Sequence, residues 1–174
     1  MNDAVFDRQT LSAIWQEHTY AEFVLKDVDR TMATMVEEPH VLLIPSGRGG
    51  IGGAEVRDFY ARQFLPSIPG DFELIQVSQV FGGGRLVEEA VARFTHTLAM
   101  DWMLPGVLPT GRKVEFAIVV IVGIQNSKIA YEHILWDQAA VLSQLGLLPA
   151  QPVSRAGVAS AARLLELSQG YGIC

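Results

Sequence analysis

Two residues of this 174-residue chain, Glu88 and His96, have the type and the spacing for acid–base chemistry. They lie in a segment, 85–102, that is rich in β-branched and aromatic residues and therefore predicts a strand. Alternate residues of a strand share a face, and both residues fall on the more apolar face. A carboxylate or an imidazole held against apolar side chains has a shifted pKa that suits proton transfer. We therefore expect Glu88 and His96 to point towards the concave side of a sheet.

Another carboxylate, Glu132, lies in the segment 128–136, which also has the composition of a strand. Glu132 shares a face with Trp136 and lies opposite His133. Both faces are partly apolar, so the pattern leaves open which of them points inwards. Each residue also has a structural alternative. His96 suits a hydrogen-bonded core position, Glu132 an ion pair at a dimer interface, and Trp136 a core anchor.

The first predicted helical region, residues 9–36, adds three pocket candidates. Trp15 and His18 share its apolar stripe, whereas Tyr20 lies beside that stripe. Trp102 comes just before a loop that contains Pro and Gly, where it either forms the rim of a pocket or belongs to a turn. Tryptophan is more often a core anchor than a ligand-stacking residue, so Trp15 also has a structural alternative.

Other catalytic chemistries lack the residues that they need. The four histidines are scattered, with no His-x-x-x-His pair and no cysteine near them, so a metal site would require assembly in space. The single cysteine, Cys174, is the last residue, and the chain contains no Gly-x-Ser-x-Gly nucleophile motif. We therefore predict no metal, no cofactor and no covalent nucleophile.

Residues 47–52 carry glycines at the first, third and sixth positions, which is the spacing of a dinucleotide-binding loop. Asp71 and Glu73 even lie about 20 residues further on, where an acid that binds ribose would be sought. The rest of the chain does not repeat the strand–helix–strand units that such a domain needs. We therefore interpret this segment as a flexible loop that leads into a helix.

Composition restricts the class of protein. The chain has 13 Lys and Arg against 19 Asp and Glu, a net charge of −6, and no basic cluster, which disfavours nucleic acid as a partner. Apolar residues make up 49% of the chain and charged residues 18%, which indicates a folded domain. Neither a secretory signal nor an apolar run of membrane-spanning length is present, so we expect a cytoplasmic protein.

The order of the predicted elements indicates an α+β fold. Two helices (9–36), a short strand (40–44) and a helix (54–65) precede four strands between residues 72 and 137. Because no helix-length segment separates those four strands, they are expected to run antiparallel. We predict an α+β domain over residues 1–148 and a C-terminal extension over 149–174 with a short helix at 156–167.

Three stretches resemble the SnoaL-like, polyketide cyclase-like branch of the nuclear transport factor 2-like superfamily. They are residues 15–23 with 34–41, residues 101–114 with the turn Pro109-Thr110-Gly111, and residues 128–138 with 144–148. With the segments between them they cover about residues 9–165. The resemblance implies a cone-shaped fold, in which N-terminal helices pack on a curved, mainly antiparallel sheet that encloses a pocket.

The resemblance also implies a mechanism. In SnoaL-type cyclases an aspartate on a strand acts as general acid and base without metal or cofactor, and Glu132 is the nearest equivalent here. A histidine assists in that family, and either His96 or His133 matches that role. We therefore predict an enzyme that uses Glu132 and His96 on a small apolar, cyclic or polyketide-like substrate, within a pocket that also includes Glu88 and the aromatic candidates.

The competing hypothesis is a non-catalytic module of the same fold that binds a small ligand or mediates dimerisation. A pocket with only apolar walls, and with Glu132 and His96 pointing outwards or in salt bridges, would favour it. Under either hypothesis the open sheet face predicts a homodimer.

Overall fold

The computed structural model describes residues 8–148 and 152–171, which form five α-helices and one sheet. In chain order the elements are α1 (Arg8–Thr19), continued by a π-helical turn (Tyr20–Leu25), α2 (Val28–Ala33), β1 (Met35–Leu43), β2 (Arg48–Ile51), α3 (Gly53–Asp58), continued by a π-helical turn (Phe59–Phe64) and a 3₁₀ turn (Leu65–Ser67), β3 (Glu73–Gly82), β4 (Arg85–Thr95), β5 (Lys113–Gln125), β6 (Lys128–Trp136), α4 (Gln138–Gln144) and α5 (Pro152–Tyr171). None of these described helices is both long and apolar enough to cross a membrane.

The six strands form one sheet in the order β2-β1-β6-β5-β4-β3. All neighbours are antiparallel except β1 and β6, which run parallel. Strands β3 to β6 follow one another in the chain and pair in sequence, as the absence of helices between them predicted. Helices at the start and a mainly antiparallel sheet confirm the α+β class.

Helices pack against both faces of the sheet. Its inner face, with Phe94, Phe116 and Val120, belongs to the main core, which also holds Trp15 of α1 and Phe59 after α3. On the outer face, a smaller cluster joins Val77 of β3 and Val91 of β4 to Ala161 of α5. The alternation of side chains along each strand therefore separates an inner core under the N-terminal helices from an outer core under α5.

The glycine-rich segment is an edge strand rather than the flexible loop that the sequence indicated. It pairs with β1, and a Cβ atom at Gly49 would lie only 1.9 Å from the carbonyl oxygen of Val41. The backbone N–H groups of Ile51 and Gly53 are bound by the carboxylates of Glu55 and Glu38, at 3.0 and 3.4 Å. The glycines therefore allow two backbone segments to pack closely. Acidic side chains accept hydrogen bonds from the N–H groups that would otherwise bind a phosphate.

Several element boundaries differ from those predicted. The strand predicted over 85–102 ends at Thr95, because Met100, Met103 and Leu104 turn back to close the end of the core. Strand β1 begins at Met35, before the predicted end of the helical region. The last helix, α5, has 20 residues and is longer than the predicted 156–167. The predicted link at 149–152 falls mostly outside the described residues, and Cys174 lies outside them entirely.

Candidate functional site

Four polar side chains meet inside the main core. The Nε2 atom of His18 lies 3.1 Å from Oε1 of Glu22 and 3.0 Å from Oε1 of Glu132. The hydroxyl of Tyr60 donates a hydrogen bond to the same Glu132 oxygen at 3.0 Å. Each of the four residues is at most 3% exposed. We refer to His18, Glu22, Tyr60 and Glu132 as the acid–base cluster.

Ordinary helix and strand periodicity brings the cluster together. His18 lies on the buried stripe of α1, and Glu22 follows four residues later on the same side. Glu132 lies at the middle of β6 on its inner face, between Val41 of β1 and Val122 of β5. Tyr60 enters from the turn after α3. Three separate parts of the chain therefore hold the cluster.

The hydrogen-bond pattern fixes the protonation of His18. The Thr34 hydroxyl donates its hydrogen to the carbonyl of Thr31 at 2.7 Å, so it accepts from Nδ1 of His18 at 2.6 Å. Nδ1 therefore carries a hydrogen, and Nε2 faces two carboxylates. Burial alone lowers the pKa of His18, but the charges and hydrogen bonds of Glu22 and Glu132 outweigh it and raise the pKa to about 10. His18 is thus an imidazolium at neutral pH.

Two other members of the cluster, Glu22 and Tyr60, also have raised pKa values and so hold their protons more tightly than usual. Burial raises the pKa of Glu22, and the charge of Glu132 adds to that effect while His18 opposes it. Burial and both carboxylates also raise the pKa of the Tyr60 hydroxyl, which therefore stays a hydrogen-bond donor. Two carboxylates within reach of one imidazolium can pass a proton to or from a molecule beside them.

The cluster borders a small cavity, which we call the inner cavity. Glu22, Tyr60 and Glu132 line it on one side, and apolar side chains such as Phe64 and Trp102 line the rest. Its volume is about 50 Å³, enough for a few water molecules. The polar groups therefore face an enclosed, mostly apolar space, where electrostatic interactions are strong.

A larger space of about 370 Å³, the outer groove, lies between the first helical region and β3. Glu88 lines it and accepts hydrogen bonds from Nε1 of Trp15, at 3.0 Å, and from the side-chain amide of Gln79. Trp15, Phe23, Phe72 and Leu74 line both spaces, so they form the wall between them. The stacked rings of Phe23 and Phe72, with centroids 5.3 Å apart, are part of this wall.

One set of residues has the spacing for a metal ion. The ligand atoms of His18, Glu22 and Glu132 lie within 4.8 Å of one another, and no other histidine, cysteine or acidic group of three among the described residues meets that condition. The fold thus assembles a group with metal-ligand spacing, which the scattered positions of the histidines in the sequence neither predicted nor excluded. In the hydrogen-bond pattern above, a proton on Nε2 of His18 occupies the point between the three atoms.

Comparison with known proteins gives matches at the level of structure. No family model matches the chain, and no curated protein matches its sequence. A candidate SnoaL-like polyketide cyclase from Jannaschia sp. CCS1 matches with a TM-score of 0.63 and 17% identity, over 86% of this chain and 99% of that one. A nuclear transport factor 2-like protein of unknown function from Burkholderia pseudomallei K96243 matches with a TM-score of 0.61 and 16% identity, over 78% and 97%.

This chain has the nuclear transport factor 2-like fold. A third structure of this kind, a protein with a ketosteroid isomerase-like fold from Catenulispora acidiphila DSM 44928 in complex with trimethylamine, matches with a TM-score of 0.61 and 12% identity, over 78% of this chain and 93% of that one. At these identities the likeness shows the fold. The predicted cone-shaped fold, with N-terminal helices packed on a mainly antiparallel sheet, is confirmed.

Within the nuclear transport factor 2-like fold, Glu132, Glu88, His18 and Trp15 all lie on the inner side. His18 and Glu132 are in direct contact, and Trp15 stacks on His18 with ring centroids 5.6 Å apart. Glu88 is separated from the acid–base cluster by Trp15, whose N–H it binds. The imidazole beside Glu132 is therefore that of His18, where the sequence predicted His96.

His96 and His133 lie elsewhere. His96 follows the end of β4, where its backbone N–H binds the carbonyl of Arg112 at 2.9 Å, and its Nδ1 atom accepts from the backbone N–H of Thr110 at 3.3 Å. His96 lines neither the inner cavity nor the outer groove. His133 lies on the face opposite Glu132, where its Nε2 atom is 3.0 Å from that of His40. The structure therefore does not bring His96 beside Glu132.

The other aromatic candidates have different positions. Trp102 lines the inner cavity, and its N–H donates to Ser67 at 2.9 Å. Tyr20 is 51% exposed at the edge of the outer groove. Trp136 is buried, its N–H binds Gln138, and it lines neither space. Glu22 and Tyr60 were not predicted. Glu22 did carry a signal, because it is an acidic residue on the apolar stripe of the first helical region.

Proposed function

We propose that this protein is a small-molecule enzyme that moves a proton on an apolar, cyclic or polyketide-like substrate without a cofactor. The observation that carries this proposal is the convergence of two carboxylates on one imidazolium at the wall of an apolar cavity. A buried charged network of this kind is costly to fold, and perturbed titratable groups of this kind cluster at functional sites.

The roles follow from position. Glu132 takes a proton from a carbon next to a carbonyl group, and the electron pair of that C–H bond moves to the carbonyl oxygen. The Tyr60 hydroxyl, which now donates to Glu132, can donate to that oxygen as charge develops. Glu132, now a carboxylic acid, returns this proton to a different atom of the substrate while the electron pair moves back from the carbonyl oxygen, so both carboxyl groups end in their starting state. His18 holds both carboxylates in place and balances their charge.

Cavity size restricts how a substrate is placed. The inner cavity of about 50 Å³ admits only the reacting part of a molecule, whereas the outer groove has the volume of an ordinary ligand site. We infer that a substrate lies in the groove and reaches the carboxylates when Phe23 and Phe72 move apart. The trimethylamine complex of the Catenulispora protein supports the view that this fold binds small molecules.

A direct test is deuterium exchange on apolar cyclic ketones. We expect the protein in D₂O to accelerate loss of the α-C–H signal of 1-tetralone or cyclohexanone over buffer, followed by proton NMR. The activity should elute with the protein on gel filtration, which controls for a contaminant. Exchange at the buffer rate with both ketones would contradict the proposal and favour the binding alternative.

That alternative, a non-catalytic small-ligand-binding module, has one observation in its favour. Both cluster carboxylates already have partners and the inner cavity is small, as in a site that only needs to be stable. It predicts saturable binding of an apolar molecule without any exchange.

We also propose a homodimer. Helix α5 covers part of the outer sheet face, but Leu42 and Ile44 at the other side of that face are 40% and 47% exposed. Burying such apolar side chains against a second copy stabilises an association. Sedimentation equilibrium should give a mass near twice 19.0 kDa, and a mass near 19.0 kDa would contradict the dimer.

A further inference from the structure

We propose that the outer groove binds a small organic cation, an amine with apolar substituents, and that Glu88 is its counter-ion. This site lies on the far side of Trp15 from the acid–base cluster. The proposal stands on the groove alone and does not require the cluster to be catalytic.

Glu88 has the hydrogen-bond pattern of a carboxylate with room for one more partner. It is 4% exposed, and its two hydrogen bonds, from Trp15 and Gln79, both go to Oε2. Its other oxygen, Oε1, accepts no hydrogen bond from the described part of the chain, yet Glu88 lines an open groove. A buried carboxylate is costly unless it is paired, so a positive group in the groove would compensate for its burial.

Among the described residues, no such positive group lines this site. Glu88 is the one charged side chain among the described residues that line the groove. Burial raises the pKa of Glu88, and hydrogen bonds from Gln79 and Trp15 only partly oppose that effect, as expected for a carboxyl without a cationic neighbour. The described lining therefore offers no positive group to an anionic ligand.

The rest of the lining suits the apolar part of a cation. Trp15, Phe23 and Phe72 lie beside Glu88, with Tyr20 at the edge. Aromatic rings attract ammonium groups through their π-electrons, and they also bury methyl or aryl substituents. A volume of about 370 Å³ is within the range for small-molecule sites. Carboxylate and aromatic side chains together favour a substituted amine over an anion of similar size.

The probe for a test is benzyltrimethylammonium, whose charge does not depend on pH. We expect saturable binding to the wild-type protein by isothermal titration calorimetry, and no binding of benzoate, an anion of similar size. Glu88→Gln should weaken binding at least tenfold, because the amide keeps the hydrogen bonds of Trp15 and Gln79 but removes the charge. Glu89→Gln is the matched control, since Glu89 binds Ser78 and does not line the groove.

A second variant guards against a folding defect in Glu88→Gln. Gln16→Lys places a positive charge on an exposed position of the groove and should also weaken the binding of benzyltrimethylammonium. Glu132→Gln should bind the probe as the wild type does. A failure of the catalytic proposal can therefore be distinguished from a failure of the cation site. The cation site would be overturned if the wild type fails to bind the probe at millimolar concentration, if Glu88→Gln binds it equally well, or if benzoate binds equally well.

Discussion

Replacing Glu132 by Gln is expected to lower kcat for proton transfer by about 10²- to 10⁴-fold on any ketone that the wild type exchanges. The amide has nearly the same shape as the carboxylate and can still accept from Tyr60 and His18, but it cannot take up a proton. The substrate pocket is otherwise unchanged, so KM should change much less than kcat. Exchange rates measured by NMR at several ketone concentrations separate the two parameters.

Two further variants make this result specific. Glu17→Gln removes a carboxylate next to His18 in sequence but on the exposed side of α1, and it should leave kcat unchanged. Tyr60→Phe removes one hydrogen bond to Glu132 and should have an intermediate effect. If Glu132→Gln retains wild-type kcat while its thermal unfolding is normal, Glu132 does not carry out the proton transfer.

The free energy of unfolding should fall steeply at alkaline pH because of His18. Its pKa is raised from 6.5 to about 10 in the folded protein. Folding therefore gains stability from His18 that is fully present below pH 6.5 and is lost as the pH rises through about 10. A difference of this size corresponds to about 5 kcal/mol, which is comparable to the whole stability of many domains.

Urea unfolding at a series of pH values measures this effect, and His18→Gln is the matched variant. Glutamine does not titrate, so the difference in free energy between wild type and variant should shrink from pH 6.5 to pH 10. The raised pKa of Glu22 acts in the same direction and begins to lower the stability of the wild type above pH 4.5. A constant difference across this range would show that His18 is not held as an imidazolium.

The sequence predicted the architecture better than the site. The order of strand-like segments without helices between them was enough for an α+β fold, because four consecutive strands have to pair antiparallel. Alternation also placed Glu88 correctly on the inner face. It could not choose a face for Glu132, since both faces of β6 carry apolar side chains. The division of the chain at residue 148 stays a prediction.

The partners of Glu132 were harder to predict, because they come from distant segments. His96 fails as a partner because it lies at the other end of β5 from Glu132: its N–H binds Arg112, whereas Glu132 pairs with Val122. Glu22 was visible as an acidic residue one turn after His18, although only the fold shows that Glu132 faces both. Nothing in the sequence pointed to Tyr60, because a tyrosine close to Phe59 and Phe64 is typical of an apolar core.

The one parallel pair in the sheet, β1 with β6, has a consequence for how the protein folds. It joins Val41 to Glu132, which are separated by about half of the chain, whereas β3 to β6 pair with immediate neighbours. Contacts between residues far apart in sequence slow folding, so the local hairpins should form first and β1 should dock late. During synthesis, His18 would leave the ribosome long before Glu132 exists, and the acid–base cluster would be among the last parts of the molecule to assemble.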